Sequence, residues 1–206
     1  DIYPGSSSSD PKCFEDSDQN LGRGFFVHGN RFYFIAYDGT HGHEPWTSDG
    51  TPGGTMLLKD IHAGSNSPAP REGAIFKNAF WFTADDGKNG RELWSTDGTT
   101  AGTTMLRDIH PGSTGSSPHC LCPCGNDLFF FVMDIWFGGH FLATDGTYAG
   151  TRTIMQGLYS NSGGDGSGKP ICYNGKLYFA GGMKGKTSQM YVSDGTGNGT
   201  MIAATL

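Results

Sequence analysis

Between residues 73 and 112 apolar positions come in short runs broken by turn signals, and the runs are too short for helices. The run 73–77 is followed by Asn78, 80–84 by Asp85-Asp86-Gly87, 91–95 by Asp97-Gly98, and 103–109 by Pro111-Gly112. Aromatic and β-branched enrichment marks these runs as strands, and Gly or Asn between them supplies the positive φ that tight hairpins need. The pattern predicts four short antiparallel strands. The second of them is apolar on both sides: Tyr33-Phe34, Trp81-Phe82, Phe129-Phe130 and Tyr178-Phe179 are adjacent pairs at one repeated place. Neighbours on a strand point to opposite faces, so each sheet is expected to be covered on both.

This four-strand pattern recurs along the whole chain. Ser or Thr followed by Asp-Gly-Thr begins its Asp at Asp49, Asp97, Asp145 and Asp194, 48, 48 and 49 residues apart. The twelve positions are Asp49, Gly50, Thr51, Asp97, Gly98, Thr99, Asp145, Gly146, Thr147, Asp194, Gly195 and Thr196, each triplet followed by a second Gly-Thr pair. A fixed period means one supersecondary unit stacked on copies of itself. Four strands per unit predict an all-β fold, a β-propeller of four four-stranded blades, either closed as four or part of a longer array. Residues 1–206 are read as a single propeller domain with an insertion around 6–20. Asp1-Ile2 and Thr205-Leu206 fall at the same phase of the repeat, which favours the closed form.

The segment Glu92-Leu93-Trp94-Ser95-Thr96-Asp97-Gly98-Thr99, with Leu106-Arg107-Asp108-Ile109 after it, resembles the ELWxxDGT repeat family. The resemblance implies a secreted or surface β-propeller protein. The third and fourth units depart from it, with His140-Phe141-Leu142 and Gln189-Met190-Tyr191 in place of Glu-Leu-Trp.

Composition narrows the function classes. A net charge of −6 with 14 Lys and Arg lacks the basic face that a nucleic-acid partner requires. No run of about 20 apolar residues is present, so no membrane span is expected. The 34 glycines occur beside 13% aromatic residues, which is a folded chain rich in turns.

Cys13, Cys120, Cys122, Cys124 and Cys172 fit an extracellular or cell-surface setting with two disulfides and one thiol. Cys124 and Cys172 sit two residues before Asn126 and Asn174 in adjacent units and are expected to pair. Cys13 is expected to pair with Cys120 or Cys122; an alternative leaves Cys172 without a bridge. A thiolate metal site from the Cys120-Cys122-Cys124 triplet and Cys172 is the weaker reading, and no metal or cofactor is expected. Asn198-Gly199-Thr200 is an N-glycosylation acceptor pattern.

The Asp-Gly-Thr triplets are read as turn chemistry, because Asp accepts backbone hydrogen bonds, Gly takes positive φ and Thr starts a strand. Nor does the sequence carry a nucleophile elbow, a phosphate-binding glycine loop or a zinc-protease helix, so it is read as not an enzyme. The expected function is an extracellular structural or adhesive module, self-associating or binding other extracellular proteins or glycans. The alternative is a lectin with sugar pockets between blades, for which Trp46, Trp94 and Tyr191 should be partly exposed beside polar groups.

Overall fold

The computed structural model describes residues 2–4, 8–14, 25–64, 70–134, 138–159, 169–183 and 188–204. The linker residues 5–7 and 65–68, much of the expected insertion and the terminal residues 1, 205 and 206 lie outside them. Among the described residues sixteen strands form four four-stranded antiparallel sheets. Sheet 1 holds β1 (Phe26–His28), β2 (Arg31–Tyr37), β3 (His43–Ser48) and β4 (Met56–Leu57). Sheet 2 holds β5 (Arg71–Phe76), β6 (Ala79–Asp85), β7 (Arg91–Thr96) and β8 (Thr104–Arg107). Sheet 3 holds β9 (His119–Cys124), β10 (Asp127–Asp134), β11 (Gly138–Thr144) and β12 (Arg152–Tyr159). Sheet 4 holds β13 (Ile171–Tyr173), β14 (Lys176–Met183), β15 (Gln189–Ser193) and β16 (Met201–Ala204).

The chain divides into two compact units, Asp1–Ser117 with sheets 1 and 2, and Pro118–Leu206 with sheets 3 and 4. In the second unit the sheets also join edge to edge, through Leu158↔Met183 and Tyr159↔Gly182 between β12 and β14. A Cβ on Gly181 would meet Leu158 Cδ2 at 2.9 Å, so a small residue at that place lets the two strands converge.

Every sheet has two apolar faces, as the paired aromatics of its second strand require. We call the face bearing Phe34, Phe82 and Phe179 the leading face, and that bearing Tyr33, Phe129 and Tyr178 the trailing face. In the first unit the trailing face of sheet 1 (Tyr33, Ile35) packs on the leading face of sheet 2 (Phe80, Phe82, Trp94). Tyr33 stacks on Phe80 at 4.6 Å between ring centroids, and Phe26 tilts against Phe80 at 5.2 Å. In the second unit the trailing face of sheet 3 (Phe129, Phe131, Phe141) packs on the leading face of sheet 4 (Leu177, Phe179, Tyr191). There Phe141 and Phe179 approach to 4.3 Å. The same order of faces is used twice.

Two parts of the chain differ from the sequence expectation. Residues 9–12 are not a loop: Lys12 pairs with Ile35, and Tyr37 N–H donates to Ser9 O at 2.8 Å, extending the row that β1 begins. Phe14 then enters the core of the first unit, edge-on to Phe80 at 4.8 Å. The 113–118 segment is likewise more than a solvated linker. Ser116 is buried, and its Oγ and N–H both donate to the carboxylate of buried Glu92, at 2.5 and 2.8 Å.

Candidate functional site

The four Asp-Gly-Thr turns are closed hydrogen-bond networks built to one plan. In the second, Asp97 Oδ1 accepts from Thr99 N at 2.9 Å and from Thr99 Oγ1 at 2.7 Å. Thr99 Oγ1 in turn accepts from Gly102 N, and Thr103 Oγ1 donates to Thr99 O. The buried hydroxyls of Thr96 and Thr103 meet at 2.7 Å. The turns at Asp49, Asp145 and Asp194 repeat these bonds. Hydroxyl donation from Thr, and then the Thr N–H, hold Asp49, Asp97 and Asp194 below the usual carboxylate range.

Both glycines of the repeat have a physical reason. Gly50, Gly98, Gly146 and Gly195 have φ between 90° and 94°, where a side chain is strained. A Cβ on Gly54, Gly102, Gly150 or Gly199 would fall 1.9 to 2.1 Å from the Asp Oδ1 of its own turn. Each Asp oxygen therefore points inward to its turn.

These turns are also contact points between sheets within a unit. The space beside Gly98 is limited by Tyr33 Oη at 3.3 Å and Arg31 Cδ at 3.7 Å from an added Cβ. Beside Gly195 the same places are taken by Asp127 Oδ2, Phe129 Cζ and Arg152 Nη2, at 3.0 to 3.3 Å. Arg152 Nη2 donates to Asp127 Oδ2 at 2.7 Å and to Gly195 O at 2.8 Å. Gly50 is different: nothing lies within 4 Å of its added Cβ.

Gly50 lines an open cleft of about 630 Å³ on the leading face of sheet 1. Phe25, Phe32, Phe34 and Trp46 also line it, together with Ser48 and Thr51 of the turn and Ile2, Ser9 and Pro11. Phe25 stands edge-on to Phe32 at 6.0 Å and is exposed.

The three aromatics expected to be partly exposed for sugar binding are not. Trp46, Trp94 and Tyr191 are 9%, 6% and 7% accessible. Trp94 lies in the core of the first unit beneath the Lys59 ammonium, 5.9 Å from its ring centre. Tyr191 is stacked on Phe179 at 5.3 Å. Trp94 and Tyr191 lie on leading faces that a preceding sheet covers, whereas Trp46 clusters with buried Phe34 and Ala36 of its own sheet. Of the three, Trp46 lines the cleft.

The cysteines resolve into one bridge. Cys124 and Cys172 are joined, their Cα atoms 5.3 Å apart, inside the ~7 Å reach of a disulfide. The expected second bridge is corrected: Cys13, Cys120 and Cys122 remain thiols. Cys120 and Cys122 are consumed as small apolar core residues of sheets 3 and 4, where burial pushes the Cys122 thiol up from its ordinary value. Asn198 is exposed on the fourth turn. Among the described residues no three His, Cys, Asp or Glu side chains gather as a metal site would need.

Sequence reasoning missed the acidic residue that opens each of the first two motifs. Glu44 and Glu92 are fully buried. Glu92 accepts from Ser116 and from His110 N–H at 3.4 Å, and Glu44 accepts from His62 N–H at 3.1 Å. The signal was present as Glu44 and Glu92 recurring with His62 and His110 at a constant distance of 18 residues. Burial pushes the Glu92 carboxyl up, and the bonds from Ser116 pull part of the way back.

No family model matches the chain, and no curated protein does. Solved structures share its fold. One from a study of two prolyl endopeptidases aligns with TM-score 0.52 and 12% identity, over 86% of this chain and 26% of that one. Puromycin hydrolase aligns with TM-score 0.51 and 17% identity, over 85% and 29%. An endo-1,4-beta-xylanase from Bacteroides thetaiotaomicron aligns with TM-score 0.42 and 12% identity, over 97% and 73%. This chain thus spans less than a third of the first two proteins. The likeness is one of fold, and the fold is propeller-like. It corrects one expectation: the prolyl endopeptidase and the puromycin hydrolase that share the fold are enzymes, so the reading of the chain as non-enzymatic does not stand.

Proposed function

We propose that this chain is an extracellular structural or adhesive module of the ELWxxDGT repeat type that assembles with copies of itself. The observation that carries this reading is a set of large apolar side chains exposed on two of the sheets. On sheet 1 these are Phe25, which lines the cleft, and Val27, and on sheet 4 they are Ile171, Tyr173, Met190 and Met201. Large exposed apolar patches on a water-facing protein mark interaction sites. The Cys124–Cys172 bridge supports an oxidising compartment, as secreted and surface proteins occupy. Exposed Asn198 is the place for an N-linked glycan, which digestion with a peptide N-glycosidase would reveal as a mass loss in native material.

Light scattering across a concentration series, paired with retention of the protein on a washed surface, tests the reading. Growth of the scattering mass and firm retention are expected. A monomeric chain that rinses off would overturn it.

One observation favours a second reading. The exposed Phe25 ring lines an open cleft with Phe32 and Trp46, and an exposed aromatic face in a cleft suits the apolar side of a sugar ring. A glycan array would report binding that Phe25→Ala removes; a blank array for the wild type would end this reading.

A further inference from the structure

The self-association just proposed has specific faces. We propose that the trailing face of sheet 4 of one chain docks on the leading face of sheet 1 of a second copy, head to tail, with Tyr178 and Lys176 seated over the Gly50 turn.

The chain uses one stacking order twice within itself. Sheet 1 offers its trailing face to the leading face of sheet 2, and sheet 3 does the same to sheet 4. Large side chains stay exposed on two faces of this type: Phe25 and Val27 on the leading face of sheet 1, beside a cleft whose lining includes buried Phe34 and Trp46, and Ile171 and Tyr173 on the trailing face of sheet 4. These faces are the two halves of the joint already built twice. Position by position, Tyr178 corresponds to Tyr33, and Phe32 corresponds to Phe80. The Tyr33–Phe80 stack at 4.6 Å is the contact that Tyr178 would reproduce on Phe32 of the next copy. Ile171 pairs with Tyr178 as Phe26 pairs with Tyr33, so Ile171 would take the place that Phe26 holds against Phe80. Val27 pairs with Phe32 as Ile75 pairs with Phe80, and Ile75 packs against the core of that joint.

The turns give an independent sign. Within each unit, residues two apart on the second strand of the first sheet cover the turn glycine of the second sheet, Arg31 and Tyr33 at Gly98, Asp127 and Phe129 at Gly195. Both of those glycines are buried. Gly50 is exposed with nothing beside it, while the residues of sheet 4 equivalent to its missing cover are Lys176, which is exposed, and Tyr178, which is half-buried. The seat and its occupant are both present on every chain, on opposite members of the repeat series. Such a contact is heterologous, so it propagates into rings or filaments rather than stopping at a two-fold dimer.

Sedimentation of the full chain tests this with Val27→Lys on the seat and Ile171→Asp on the occupant. Both side chains are largely exposed, at 65% and 63%, so the fold tolerates the charges, which circular dichroism would verify. Tyr173→Glu, on the same face and 62% exposed, replaces Ile171→Asp should that variant lose the wild-type spectrum. The wild type is expected to rise above its 22.0 kDa monomer mass with concentration, and each variant to stay at it. An equimolar mixture of the two variants is expected to give a species of twice the monomer mass and nothing larger, because one intact seat and one intact occupant remain. Variants that assemble as the wild type does, or a mixture that stays monomeric, would overturn the head-to-tail joint while leaving self-association standing. A wild type that is monomeric throughout would overturn both.

Discussion

Gly102→Ala tests whether the repeated Gly-Thr pair exists to admit the aspartate of its own turn. The Cβ would stand 2.1 Å from Asp97 Oδ1 and 2.3 Å from its Cγ, well inside contact distance. The carboxylate must swing out, and the bonds from Thr99 N and Oγ1 are then lost. At about 1 kcal/mol each, the loss is about 2 kcal/mol. Gly102 does not have a positive φ, so alanine itself is allowed there and returns about 0.4–1 kcal/mol through the unfolded chain. The net cost is about 1–2 kcal/mol. Asp97→Ala forfeits the same two bonds, but in that background an added methyl displaces no carboxylate. Gly102→Ala should then be neutral or slightly stabilising, giving a coupling of about 1–2 kcal/mol between the two sites. Urea unfolding of wild type, both single variants and the double variant measures the cycle, and thermal midpoints should follow at about 2–4 °C per kcal/mol for a chain of this size. Equal cost of Gly102→Ala in both backgrounds would refute the account of the repeat.

Acidification should weaken the turns. Asp49, Asp97 and Asp194 titrate below their ordinary 3.8 when folded, so their stabilisation is complete above that value and is lost as pH falls through the lower folded one. Glu92 acts with the opposite sign, because its raised folded value makes its charge a cost that develops as pH climbs past its ordinary 4.5. Melting temperature against pH should therefore show a fall below about pH 4 that is shallower in Asp97→Asn. Reducing Cys124–Cys172, or replacing both cysteines by serine, removes a link of sequence separation 48 and should cost about 4 kcal/mol by loop entropy, read as a lower urea midpoint. Phe14→Ala empties a fully buried site between sheets 1 and 2 and should cost about 3–5 kcal/mol in the same assay; a loss under 1 kcal/mol would mean the segment is not part of that core.

Local chemistry was legible in the sequence. The strands of the second unit could be read from aromatic runs and turn residues, and the Asp-Gly-Thr phrase gave the period, since φ, a short acceptor and a β-branched hydroxyl are demands met within eight residues. The Cys124–Cys172 bridge was also readable, because equivalent positions in a stacked repeat lie side by side. What the tertiary structure alone decided depends on long-range neighbours. Phe14 reads as part of a polar insertion until β2 offers an open edge beside Ile35 for residues 9–12 to fill. Glu92 reads as a surface residue of a motif until the 109–116 segment folds over it and donates its hydrogen bonds. Trp46, Trp94 and Tyr191 occupy one repeat position, and periodicity assigned them one fate. Their actual surroundings follow from whether a preceding sheet lies on the leading face: it does for Trp94 and Tyr191, whereas beside Trp46 a cleft remains open. A repeat makes every sheet alike in its residues, and only stacking in three dimensions determines which of those like faces are covered.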